Sequence, residues 1–407
     1  MSSNTENFRI DVATAEQLIR SAMPEYGSHK VPLAEASGQI LRQAIVAERD
    51  QPPFDRATMD GIAVASSALD DGKRSFTVSG IQAAGQPSAK LSSPDTCFET
   101  MTGAVMPEGS DTMIPVERIT IENGVATLET DYKADNKQFV HHRASDHQAG
   151  DLLLKPGVAI NAPEMAVLTA AGEAEVEVAE WPAIAVVSTG DELVDVGAPI
   201  NDAQIRSSND RAIETALHNR GCMNTHRHHL PDDPDALLEK INRLHEEAGV
   251  LILSGGVSMG KYDYVPAILD ELGVKVVFHK ILQRPGLPMW FGISTTGKPV
   301  FALPGNPVST LVCLTRYVIP AITAAMGLNE RSTETVQLSA EVKFKPDLCW
   351  FLPVSLAHQP DGVTVAEPRP TNTSGDFIGL RGTDGFVELP RGTDTFPPGY
   401  AARLYRW

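Results

Sequence analysis

The apolar positions are most sharply ordered between residues 181 and 328. WPAIAVVST, GVLILSGG, KVVFHKI and PVFALPG are short apolar runs, most of them breaking into small or turn residues. Between them lie IRSSNDRAIETALHNRG, with a glycine stop, then DPDALLEKINRLHEE and YVPAILDELG, all with helical character. PVSTLVCLTRYVIPAITAAMG closes the block as a long apolar helix with proline at its first position. Strands alternating with helices predict a three-layer α/β/α domain.

Elsewhere the pattern changes period. Residues 65–142 alternate short apolar runs with Gly, Pro and Asn-Gly turns, which predicts a β-rich domain with a hairpin at Asn123-Gly124. Residues 329–407 carry five strand-like runs at regular spacing, a small β-barrel or sandwich. Upstream, Val31, Leu33, Ile40, Leu41 and Ile45 give a loose helical pattern interrupted by Gly38. A helix begun by Pro163 and ended near Gly172, followed by a strand, rejoins that N-terminal region. The expected organisation is therefore multidomain α/β plus β. Residues 1–50 and 143–180 form a discontinuous N-terminal domain, and 51–142 an inserted β domain. Residues 181–328 form the α/β/α domain, and 329–407 a C-terminal β-barrel. The stretch QPPFDRATMDGIAV reads either as a linker or as an ordered loop that carries Asp60 to a site. Thr102 is either a ligand contact or a turn-capping hydroxyl.

In open α/β sheets, ligands sit beyond the carboxyl ends of the strands. The loops that fall there bring together Thr189, Gly190, Asp191, Glu192, Ser208, Asn209, Ser254, Gly255, Gly256, Ser258, Asp263, Pro304, Gly305, Asn306, Pro307 and Ser309. Lys280 and Arg284 follow the adjacent strand. The segment LILSGGVSMGKYD is either a structural Gly-Gly turn or a loop that offers backbone N–H groups to an anion. No histidine stands beside a Ser or Cys elbow, and neither GxGxxG nor GxxxxGK[ST] occurs. Hydroxyls, amides, carboxylates and two cations fit phosphate binding with a divalent cation; hard oxygen donors suit magnesium.

Charge narrows the partners. Lys plus Arg number 34 against 52 Asp plus Glu, a net −18 over 407 residues. That argues against nucleic acid or an acidic membrane surface and leaves small anionic substrates. No run of about 18 apolar residues occurs, and the polar, acidic start is unlike a signal peptide. Cys97, Cys222, Cys313 and Cys349 lie far apart, as expected of reduced cytoplasmic thiols. THRHHL and His141-His142 read as solvated surface.

The segments PPFD with MDGIAV, MTGAVMPEGSD, STGDEL, SSND, SGGVSMGKYDY, RPGLP and LPGNPVS occur in this order. Their order and spacing, from about residue 30 to 325, resemble the molybdopterin molybdenumtransferase family, the MoeA-type proteins and the gephyrin E domain. The resemblance implies an elongated four-domain subunit that pairs as a homodimer in the cytoplasm. It also implies a reaction: molybdate is inserted into adenylyl-molybdopterin and AMP is released, with Mg2+. Position by position, Asp60 and Thr102 match cleft-facing residues of the second domain. Glu192 and Asp263 match carboxylates of the α/β domain that hold metal. Asp146 matches the acid of a GED segment, here Ala144-Ser145-Asp146, and is a third metal candidate. Lys280 and Arg284 match two basic positions, the second usually lysine. Pro304 and Pro307 frame the LPGNP loop. The implied site is a cleft completed across the dimer, and other molybdenum cofactor biosynthesis enzymes are expected partners.

The chain departs from the family at three places. KPGKP is RPGLP, so Leu287 replaces a cation. An arginine before an FLR-like strand and a GSH-type segment are replaced by DLCWFLP and TSGDFIGL. These departures leave a second reading, a paralogue with impaired catalysis that acts as a molybdopterin-binding or scaffold protein; a third is a molybdopterin adenylyltransferase, an enzyme that shares this kind of α/β domain.

Overall fold

The computed structural model describes residues 9–257, 263–330 and 332–407. They fall into two compact units: Met1–Gln43 with Pro156–Asn161 and Glu175–Trp407, and Ala44–Lys155 with Ala162–Ala174.

The first unit is built on a six-stranded sheet. Its order is Thr225–Leu230, Ile184–Thr189, Val250–Ser254, Pro299–Leu303, Trp290–Ile293, Lys275–His279. The first four strands are parallel. Trp290–Ile293 runs against both its neighbours, so Lys275–His279 points the same way as the first four. Alternate side chains feed two apolar layers. Val186, Ile252, Phe301 and Leu303 pack with Ile213, Leu217, Val308 and Val312 of the helices on one face. Val187, Leu251, Leu253 and Val300 pack with Leu237, Ile241, Ile268 and Leu269 on the other. This is the expected α/β/α sandwich, with two strands the sequence did not announce. Trp290–Ile293 is one. THRHHL is the other: an edge strand in which only Thr225 and Leu230 are buried, so it needs no apolar run.

The helix Val12–Ala22 is capped by Asp11, whose carboxylate accepts from Thr14 N at 2.8 Å. The helical pattern read at Val31–Ile45 is a correction. Ser28–Pro32 is a strand that pairs with Glu175–Ala179, and Ile40 and Leu41 make single bridges to Ala159 and Val178. Their apolar side chains face cores from extended backbone, and Gly38 takes φ 78°, which no helix admits.

The apolar helix Pro307–Ala325 is 19 residues long, enough in length and composition to cross a membrane, yet most of it is buried inside the protein. It widens into a π turn at Leu314–Val318. Pro320, without an N–H, stands two residues beyond it. At this turn Arg316 is buried and paired with Glu16 (2.8 Å) and Glu388 (3.2 Å).

Toward the C-terminus, Cys349–His358, Thr364–Pro368, Thr335–Leu338, Ala401–Arg406 and Gly385–Leu389 pair in that order and close back on the first, giving the expected barrel. The two-residue strand Gln283–Arg284 adds parallel to Cys349–His358.

The second unit carries its own six-stranded sheet, ordered Thr112–Pro115, Gly61–Val64, Thr96–Thr100, Ser75–Gln82, Val125–Leu128, Ile119–Glu122. The Asn123-Gly124 hairpin is there, both residues at positive φ (52° and 76°). The helix Ala162–Ala170 belongs to this unit.

Candidate functional site

Three strands of the first unit end side by side, and their loops touch. A Cβ on Gly255, which stands at φ 100°, would lie 2.8 Å from the Thr189 carbonyl oxygen, and one on Gly305 would lie 3.3 Å from Gly255 Cα. At 255 only glycine lets the backbones come this close, and at 305 a side chain would crowd the neighbouring loop. Asn209 ties the loops together: its Nδ2 donates to Ser254 Oγ (2.9 Å) and to Gly305 O (2.7 Å). Ser208 occupies the N-cap of the Asn209–His218 helix. Thr310 Oγ1 donates to Pro304 O at 2.6 Å and fixes the third loop from below. Thr189 Oγ1 is buried against these glycines, with no hydrogen-bond partner among the described residues. Ser258 lies outside the described residues.

The carboxylates gather at the same edge. Asp191 accepts from Asp232 N at 3.1 Å. Burial raises the Asp232 carboxyl above its ordinary range, and the charges of Asp191, Glu192 and Asp263 push it further. Asp232 thus stands amid the charge of three other acids. Asp232 was not among the residues singled out from the sequence. It follows Leu230 and Pro231, at the carboxyl end of the edge strand, and recognising THRHHL as a strand would have found it.

The basic residues leave the sheet on its last strand. The His279 ring bonds the Val257 backbone, and burial and then Lys280 keep its pKa low. Lys280 takes φ 79°, its N–H donates to Met289 O (2.9 Å), and the loop carrying Arg284 and Leu287 closes above it. Arg284 is exposed. Asn306 Nδ2 donates to Ser374 Oγ at 2.8 Å, and Val308 N donates to Ser374 O at 3.0 Å. The TSGDFIGL segment thus reaches the LPGNP loop, and Ser374 is a second contact the sequence did not reveal. Pro307 opens its helix, and Ser309 is buried within it.

In the second unit, Asp60 and Thr102 are directly joined. The Thr102 backbone N–H and hydroxyl both donate to Asp60 Oδ1 at 2.7 Å. Those bonds, the backbone one foremost, hold Asp60 below the usual carboxylate range. Asp146 Oδ1 lies 2.8 Å from His141 Nε2. The other ring nitrogen of His141 faces the Arg56 guanidinium (3.0 Å), which can only donate. Nδ1 is therefore the acceptor, and Nε2–H donates to Asp146.

No three His, Cys, Asp or Glu side chains among the described residues form a ready metal cage. A cavity of about 520 Å³ lies elsewhere, at the amino ends of the Ile184–Thr189 and Thr225–Leu230 strands.

Comparison with known proteins bears on this arrangement. Residues 10–172 match the MoeA N-terminal region (domains I and II), 185–324 a probable molybdopterin binding domain, and 335–406 the MoeA C-terminal region (domain IV). The molybdopterin molybdenumtransferase of Synechocystis sp. is 38% identical over 399 residues, covering 98% of this chain and 100% of the relative. The chain belongs to the molybdopterin molybdenumtransferase family. The enzyme of that name from Staphylococcus aureus is 30% identical over 402 residues, covering 97% of this chain and 95% of the relative. Two solved structures of molybdopterin biosynthesis MoeA protein from Pyrococcus superpose with TM-scores of 0.79 and 0.83, at 29% and 22% identity. Each covers 98% of this chain, with 99% and 100% of the Pyrococcus chains matched. The family fold extends through the barrel, where the departures DLCWFLP and TSGDFIGL lie.

Proposed function

We propose that this protein inserts molybdate into adenylyl-molybdopterin and releases AMP. The observation that carries the reading is the convergence of the Thr189-Gly190, Ser254-Gly255-Gly256 and Pro304-Gly305 loops beyond one sheet edge, in a chain of this family. Backbone amides of these loops and the Ser208 hydroxyl face the phosphates, and the buried Thr189 and Ser254 hydroxyls stand behind them, Ser254 Oγ accepting from Asn209. Asn209 keeps the loops in register, and Lys280 and Arg284 offset the charge of phosphate and oxyanion. All four cysteines are buried, and His229 Nε2 is 3.0 Å from Gly190 O. On this reading the attacking oxygen comes from water or the oxyanion, and the protein acts by placement and charge.

Glu192 and Asp263, beside Asp191 and Asp232, would hold Mg2+, a hard cation suited to carboxylate oxygens. The bound ion supplies positive charge to phosphate oxygens. Asp60, Thr102 and Asp146 are proposed as the second unit's substrate-facing residues. The same reading makes the protein a cytoplasmic homodimer.

Purified protein incubated with adenylyl-molybdopterin, molybdate and Mg2+ should release AMP and yield metal-loaded cofactor. No AMP release sinks the reading. Leu287, in place of a cation, favours one alternative: binding of the adenylylated pterin, seen by calorimetry, without turnover. Sedimentation at micromolar concentration tests the dimer.

A further inference from the structure

Gln283 is fully buried, next to an exposed arginine. Its amide is used on both sides. Nε2 donates to Pro285 O at 3.0 Å and to Cys313 Sγ at 3.6 Å, while Oε1 accepts from the Tyr317 hydroxyl. The Pro285 carbonyl can only accept, so the NH2 must face it and the oxygen must face Tyr317. Cys313 Sγ lies 3.8 Å from Gly286 O. Two consecutive carbonyls of the Arg284-Pro285-Gly286 turn are thus tied to the core. The turn has no slack: a Cβ at Gly286 would lie 2.5 Å from Gln283 Nε2 and 2.6 Å from Cys313 Sγ. Tyr317 is itself buried, on the π turn Leu314–Val318, where an extra residue alters the helix's facing.

Packing alone gives no reason for an amide here. Methionine or leucine would fill the volume without the cost of burying polar atoms. What the amide adds is a fixed turn.

We propose that Gln283 is a positioning residue: with Tyr317 it sets the Arg284-Pro285-Gly286 turn so that the Arg284 guanidinium is held ready for the oxyanion. The inference rests on the reading of Arg284 as a substrate-facing cation. An arginine on a loose turn pays its ordering entropy on binding, and that loss falls on affinity for the anion it grips.

The test is steady-state AMP release by the full chain for Gln283→Met, Arg284→Ala and the double variant, with melting temperatures alongside. Gln283→Met should raise KM for molybdate about tenfold, with kcat within about twofold and KM for adenylyl-molybdopterin unchanged. The double variant should be no worse than Arg284→Ala alone, because Gln283 acts through Arg284. Additive losses, a loss confined to kcat, or wild-type kinetics for Gln283→Met overturn the inference and leave Arg284 in the site. Wild-type KM for Arg284→Ala removes Arg284 from the site and the inference with it. Absence of AMP release by the wild type overturns both this inference and the proposed function. If Gln283→Met does not fold, Tyr317→Phe decides. It keeps the Pro285 bond and should raise KM for molybdate about threefold, an effect that vanishes in the Arg284→Ala background. Persistence of that effect without Arg284, or its absence with Arg284 present, overturns the inference.

Discussion

Asp60 and Asp232 are both polar punctuation at the end of a loop, yet their surroundings are opposite. Asp60 is exposed and accepts two hydrogen bonds from Thr102, which hold it below the ordinary carboxylate range. Asp232 is half-buried and faces Asp191, Glu192 and Asp263, and burial and like charge raise it. The first carboxylate is satisfied by a neighbouring loop, that of Thr102. The second belongs to a group whose mutual repulsion a cation would relieve. A carboxylate already satisfied is a structural asset whatever else it does, whereas a crowded set of acids is a cost to stability that makes sense as a binding device.

The strongest way to break this contrast is at the acids themselves. Asp263→Asn and Glu192→Gln should each lower kcat/KM for AMP release by about 100-fold or more, the scale of removing one electrostatic contact to a transition state. Melting temperature should stay level or rise, since each change removes like charge. A fall in melting temperature that matches the loss of rate would make these residues structural.

Next in size is Gly255→Ala. The alanine Cβ meets the Thr189 carbonyl at 2.8 Å from a backbone at φ 100°. The strain should cost roughly 2–3 kcal/mol of stability, read from urea unfolding, and AMP release should fall with it. A neutral result would mean the loops are not held as closely as their hydrogen bonds indicate.

Asp232→Asn sharpens the electrostatic half. A carboxyl raised in the folded state destabilises at pH above its folded pKa, and the deficit disappears as pH falls below the unfolded value of 3.8. The variant should therefore melt roughly 1–3 °C higher than wild type at pH 7 without metal. The gap should close on acidification, and millimolar Mg2+ should close it from the other side by stabilising the wild type more. Equal shifts by Mg2+ in both proteins would separate Asp232 from any cation site.

What the sequence made legible follows the same division. IAVVST and VLILS are continuous apolar runs because they are buried on both faces, so the central strands and their glycine breaks could be read directly. Thr225–Leu230 hides its identity because an edge strand tolerates histidine and arginine, and Asp232 was lost with it. Val31, Ile40, Leu41 and Ile45 gave a helical spacing by coincidence, since their burial is set by separate strands and bridges. Ser374 meets Asn306 across 68 residues of chain, a contact created by the barrel segment's return and carried by no local pattern. The Gln283 amide is illegible for the same reason: its partners come from a turn and from a helix face that the sequence does not place beside it.

The smallest effect tests the satisfied carboxylate. Thr102→Val removes the hydroxyl donor to Asp60 and keeps the backbone donor, with nearly the same shape. A depressed carboxyl contributes stability that is present above its unfolded value of 3.8 and is lost as pH falls through the lower folded value. Losing one donor brings the folded pKa back toward 3.8, so less stability remains to be lost in acid. The variant should melt about 1 °C below wild type at pH 7, and the difference should shrink as pH drops below about 3.8. Calorimetry from pH 7 to about pH 2.5 measures it. A difference that stays constant across that range would trace the change to packing around residue 102, and Asp60 would then owe its low pKa to the backbone bond alone.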